Sequence, residues 1–120
     1  MARPKQSFKD LPPEWQTWLR RIKAADTRWR RLDSERENLI ASLKRKTGRA
    51  DYTVRSLPEY KQAWQDCETA RIERAELFLA ATEHGVSTYR IAKHLGYPAQ
   101  RAVASAIQSL KGERVDYRRH

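Results

Sequence analysis

Residues 75–112, AELFLAATEHGVSTYRIAKHLGYPAQRAVASAIQSLKG, read as three helices separated by two glycine turns. Leu77, Phe78 and Ala81 share one face of the first. Gly85-Val86 then makes a turn, and Ser87 is a good N-cap for a short helix over 88–95. Ile91, Ala92 and Leu95 fall on one side of that helix, and Gly96 ends it because glycine accepts positive φ at no steric cost. Pro98 suits a first-turn position and opens a helix over 98–110, with Ala99, Val103, Ala106, Ile107 and Leu110 on one face and Gly112 as its close. Ala92 is small enough for the two helices to cross closely, and Val86, Ile91, Leu95, Val103 and Ile107 supply their shared core.

Working outward, residues 1–12 are a basic, aperiodic arm, and Pro12-Pro13 marks a helix start. Behind it Trp15, Trp18, Ile22, Ala25, Trp29, Leu32, Arg36, Leu39 and Leu43 recur in alternating steps of three and four, a heptad seam broken only at Arg36. The spacing predicts a helix over 13–46, with Lys44, Arg45 and Lys46 on the negative pole of its last turn and Gly48 just beyond. Residues 47–55 have turn character. Ser56-Leu57-Pro58-Glu59 matches a capping box ahead of a second long helix that carries Tyr60, Ala63, Trp64, Cys67 and Ala70 and ends near Gly85. The expected fold is therefore all-α: an antiparallel helical hairpin over 13–74, two further helices over 75–112, and a basic tail over 113–120 that can form one strand at most and no complete wing.

The chain has 120 residues, 33% of them charged, and a formal net charge of +10. The charge is unevenly spread: residues 1–50 hold 14 basic and 6 acidic residues, residues 51–84 hold 4 and 7, and residues 85–120 hold 7 and 2. The net positive charge predicts attraction to polyanions, nucleic acid before membrane surface, and the two basic segments flanking an acidic one suit an acidic helix lying against a basic one. No apolar run is long enough to cross a bilayer, and no apolar stretch follows the first residues as in a secretory signal. The single cysteine, Cys67, is expected to be a small buried hydrophobe, and its solitude fits a reducing cytoplasm and excludes a thiolate zinc site.

The segment 75–112 resembles the helix-turn-helix of bacterial and phage transcriptional regulators, through Ile91, Ala92, Leu95 and Gly96 with Val103 and Ile107 following. The hairpin before it matches no recognised family. The usual turn is Gly, a hydrophobe and a Ser or Thr cap; here it is Gly96-Tyr97-Pro98, and Val103 falls one residue late, which predicts a longer turn. The resemblance implies that helix 98–110 enters the major groove of double-stranded DNA. Gln100, Arg101, Ala104, Ser105 and Gln108 would then meet base edges, since Gln pairs with adenine and Arg with guanine. Ser87, Thr88, Tyr89, Arg90, Lys93 and Lys111 would face phosphates, joined by Arg114, Arg118 and Arg119 of the tail.

Three tryptophans on the seam, Trp15, Trp18 and Trp29, together with Ile22, are read either as core or as a homodimer interface. The leading expectation is a sequence-specific DNA-binding regulator, nucleoid-associated in the cytoplasm and acting as a homodimer. The competing one is an adaptor that grips another protein through the Trp-rich hairpin. No enzyme, cofactor or metal is expected. His84 and His94 lie ten apart across a turn, without helical ligand spacing, and His94 is placed on the exposed face near the turn. The carboxylates Asp33, Glu35, Glu73 and Glu76 sit among arginines, where ion pairing accounts for them.

Overall fold

The computed structural model describes residues 8–118, with side chains described through residue 112. The protein is all-α, and no strand occurs among the described residues. A single turn of 3-10 helix, Phe8–Asp10, precedes α1 (Pro13–Thr47). The short α2 (Asp51–Val54) leads to α3 (Pro58–Glu83), followed by α4 (Thr88–Leu95) and α5 (Arg101–Arg118). The chain forms two compact units, one of residues 1–24 with 75–120 and one of residues 25–74. The hairpin expected over 13–74 is thus divided within α1, whose first turns belong with the C-terminal helices.

In the first unit the core is apolar. Leu19 and Ile22 of α1, Phe78 and Ala81 of α3, Ile91 and Leu95 of α4, and Val103 and Ile107 of α5 form one buried cluster. Every one of these except Leu19 falls on a face that the apolar spacing anticipates.

Along α1, through Leu19 and Ile22 of the first unit and on into the second, the seam differs from the expected one. Alongside Ile22, Trp29, Arg36 and Leu43, α1 turns inward Leu19, Asp26, Asp33 and Ile40 in place of Trp18, Ala25, Leu32 and Leu39, which lie toward the edge of the buried face. The series still steps by four and three, shifted by one residue. The reason is chemical: Asp26 is only 1% exposed, and its carboxylate accepts a hydrogen bond from buried Arg74 at 3.2 Å and pairs with Arg30 at 3.0 Å. Arg74 also lies 4.0 Å over the Trp29 ring. One heptad further along α1, the Cys67 thiol donates to Asp33 at 3.7 Å, and Arg36 donates to the same carboxylate at 2.8 Å. One heptad further still, Ile40 packs in a small apolar cluster with Leu43, Val54 and Tyr60. The facing positions on α3, Arg74, Cys67 and Tyr60, also step by seven, so within this unit α1 and α3 run antiparallel.

Three local expectations are corrected. Ser56 does not cap α3: its hydroxyl donates to the Thr53 carbonyl at 2.6 Å and closes α2, and Pro58 opens α3 behind half-buried Leu57. The last helix does not start at Pro98. It starts at Arg101, because the Gln100 carbonyl takes the first helical bonds from Val103 and Ala104 at 3.1 and 3.0 Å. It also runs past Gly112, its expected end, to Arg118, through residues expected to supply one strand at most; Gly112 keeps ordinary helical φ, at a cost of roughly 1 kcal/mol for a glycine inside a helix.

Candidate nucleic-acid interface

Two copies of one capping device place α4. At the end of α3 the Val86 amide donates to the Ala81 carbonyl at 3.0 Å and the Gly85 amide to Thr82 at 3.1 Å. At the end of α4 the Tyr97 amide donates to Ala92 at 2.9 Å and the Gly96 amide to Lys93 at 3.2 Å. Both are Schellman motifs, and both need a residue with positive φ, supplied by Gly85 at 93° and Gly96 at 75°. Between them the Ser87 side chain accepts from the Arg90 amide at 3.1 Å, the N-cap expected from the sequence. An eight-residue helix is marginal alone. Its two ends and its buried Ile91, Ala92 and Leu95 therefore hold it in place.

From Gly96 the chain passes through Tyr97, Pro98, Ala99 and Gln100 before α5, and α4 packs on α5. Val103, Ile107 and Leu110 are buried. On the opposite side Arg101, Ala104, Ser105, Gln108 and Lys111 share one helical face, and all are exposed. Gln100, just ahead of them, is exposed too. Residues 85–112 contain four Lys and Arg residues and no carboxylate, so the segment's positive charge is not neutralised from within.

The five side chains expected to make base contacts therefore share one exposed surface. Gln100 is tied back to α4: the Thr88 hydroxyl donates to its amide oxygen at 3.1 Å. That oxygen keeps a second lone pair, so the amide still offers both an acceptor and donors. The residues expected to contact phosphate are more varied. Ser87, Tyr89, Lys93 and Lys111 are exposed, whereas Thr88 and Arg90 are half-buried. Tyr89 is 57% exposed and Lys93 Nζ sits 5.9 Å from its ring centre. Tyr89, Lys93, Tyr97, Pro98 and Gln100 line a shallow groove of about 250 Å³ beside the start of α5. Arg114 and Arg118 belong to α5, but their side chains, like Arg119 and residues 1–7 of the arm, lie outside the described residues.

His94 is not on the open face that the sequence suggests for it. It is half-buried beneath Phe8, with ring centres 5.3 Å apart. Burial, and secondarily the charge of Lys23, push its pKa below the ordinary histidine value, so it adds no positive charge to the surface at neutral pH. Among the described residues no three metal-ligating side chains come together. Cys67 is buried, and burial followed by the Asp33 charge pushes its thiol pKa up.

The residues expected at a dimer interface are partly used within the chain. Ile22 is fully enclosed and has no surface to offer a second copy. Trp15 and Trp18 pack against the apolar core of their unit, and the Trp18 ring lies tilted against His84 with ring centres 5.0 Å apart. Trp29 is half-buried under Arg74. The most exposed tryptophan is one the apolar spacing places inward: Trp64, at 50%. No family model, curated protein or solved structure matches this chain.

Proposed function

We propose that the protein binds double-stranded DNA sequence-specifically and acts as a small transcriptional regulator, with α4 and α5 as a helix-turn-helix and α5 as the helix that reads the major groove. The observation that carries this reading is the exposed face of α5. Arg101, Ser105 and Gln108 are hydrogen-bonding groups of the kinds that read base edges, on a segment without a carboxylate. The buried stripe of Val103, Ile107 and Leu110 fixes which way that face points. Lys93 and Lys111 flank it as phosphate contacts that set register without reading sequence. Binding as a homodimer, with two such helices about one turn of DNA apart, matches the geometry of paired half-sites. The adaptor alternative draws less support, because Ile22 is enclosed and Trp29 is covered.

The test is fluorescence anisotropy with the full chain and a mixed-sequence duplex, followed by selection of a preferred site. Affinity falls linearly in log–log form with salt, the slope counting the phosphates engaged. Gln100→Ala, Arg101→Ala and Gln108→Ala together lower affinity for the selected site by at least about a hundredfold, at about 1 kcal/mol or more for each good base contact, with helical circular dichroism unchanged. Equal affinity of the triple variant for the selected site would refute the assignment. Sedimentation with and without the site reads the stoichiometry.

A further inference from the structure

The unit of residues 25–74 carries a second surface with a different character. Its far end is strongly basic: residues 44–64 hold six Lys and Arg residues and two carboxylates. Asp51 is already engaged, accepting from Arg55 at 2.7 Å and lying 3.8 Å from Lys44; the Arg55 hydrogen bond is the first cause holding its carboxyl below the usual range. Arg45, Lys46, Arg49 and Lys61 make no ion pair among the described residues, so the excess positive charge is open to solvent.

Aromatic rings accompany these cations. Trp64 is 50% exposed, although tryptophan carries a large apolar area that burial would favour. It forms one wall of a hollow of about 270 Å³ whose other walls are Arg55, Tyr60 and Lys61. Tyr60 is itself held in place: Arg55 donates to its hydroxyl at 3.0 Å and lies 5.5 Å from its ring centre. The hollow is thus an aromatic corner, one of its two rings held by Arg55, rimmed by two cations. Tyr52, 80% exposed, stands on α2 three residues before Arg55.

The cations at the end of α1 have a bland explanation in the negative pole of that helix. That explanation does not reach Lys61 or Trp64, which lie in the first two turns of α3, where a cation meets the positive pole. The hollow, of about 270 Å³, lies against a half-exposed indole and is open to solvent on that side. It has room for one flat ring against the indole, and the ring's attachments must run out into solvent past the cations. A chain of bases joined by phosphates has that form.

We propose that this corner, centred on Trp64 with Lys61 and Arg55 at its rim, binds single-stranded nucleic acid, one base stacking on the indole and the adjoining phosphates meeting the cations. Stacking of this kind tolerates any base, and the charge supplies the remaining affinity. The corner shares no residue with the α5 face, and its existence does not depend on the duplex-binding reading.

The test uses the full chain and a fluorescein-labelled oligothymidylate of about fifteen nucleotides, near the upper end of known site sizes. Trp64→Leu weakens its binding roughly tenfold, the equivalent of one stacked base, whereas Trp64→Phe stays close to the parent. Lys61→Ala reduces the salt slope by about 0.7, the value for one phosphate of a single strand. The Gln100/Arg101/Gln108 triple alanine variant binds the oligonucleotide as the parent does, which keeps this result distinct from the duplex experiment. Unchanged affinity in Trp64→Leu overturns the proposal, as does loss of single-strand binding in the triple variant alone. Displacement of the oligonucleotide by polyglutamate at equal charge concentration overturns it in favour of an acidic protein partner. If Trp64→Leu fails to fold, Lys61→Glu replaces it, being an exposed change remote from the packing. It weakens oligonucleotide binding if the corner is the site, and unchanged affinity overturns the proposal.

Discussion

Where α1 meets α3 in the unit of residues 1–24 and 75–120, the central side chains are Leu19, Ile22, Phe78 and Ala81, all fully enclosed. In the unit of residues 25–74 the same two helices meet through Asp26, Asp33, Cys67 and Arg74. The heptad spacing continues through both. Its chemical content changes from non-directional burial to paired charges and hydrogen bonds. Apolar burial scales with area and tolerates a substitution of similar volume. A buried ion pair depends on both members, and removing one costs more than replacing the two together.

That contrast can be broken experimentally. The largest effect is expected for Phe78→Ala, which should cost about 4 kcal/mol in denaturant unfolding, with Phe78→Leu much milder. Next comes Asp26→Ala, expected to cost about 3 kcal/mol because it leaves Arg74 buried without its carboxylate. Asp26→Leu combined with Arg74→Met should be less damaging than Asp26→Ala alone. A double variant worse than the single one would mean that the polar seam behaves as additive contacts and the contrast is wrong.

A smaller effect sharpens the picture of α4. Gly96→Ala meets open space, so its cost should come only from positive φ, about 1 kcal/mol. A much larger loss would point to a packing role the geometry does not show. The smallest effect is in pH. The His94 pKa is lowered on folding, first by burial and then by Lys23, so the unfolded chain binds the proton more readily. Its contribution is present above the unfolded value of about 6.5 and is lost as pH falls through the folded pKa. Stability should therefore drop slightly more steeply below about pH 6.5 in the parent than in His94→Gln, measured as the urea midpoint.

Much of the apolar unit is legible in the sequence. Ser87, Gly85, Gly96 and the stripe of Val103 and Ile107 each have a local physical reason that does not depend on distant residues. The polar seam is not, because a search for hydrophobes passes over an aspartate, and Asp26 becomes an interior residue only through Arg74, 48 positions away. The same blindness sets Trp64 on the inward face: its indole is large and apolar, but the buried line of α3 runs through Tyr60, Cys67, Ala70 and Arg74 instead. The start of α5 is misplaced because Pro98 is acceptable at a first turn and nothing local reveals that Gln100 provides the first carbonyl. For the candidate interface, residue types and helical phase find the exposed face of α5, while the Thr88–Gln100 tie joins the first residue of α4 to the residue ahead of α5 and has no local signature at either.

The three layers of the second unit, Asp26 with Arg74, Asp33 with Cys67 and Ile40 with Tyr60, are spaced alike but chemically unlike. Sliding one helix by a heptad keeps the spacing and ruins the chemistry: Asp26 would face Cys67, and Asp33 would face Tyr60. The pair behaves as a keyed rod with a single alignment. Inserting seven residues into α1 between positions 33 and 40, and seven into α3 between 60 and 67, should therefore lengthen the unit without scrambling it. The same insertion in one helix alone should not be accommodated. Length in this part of the protein is adjustable in matched sevens, and the polar layers set the rule.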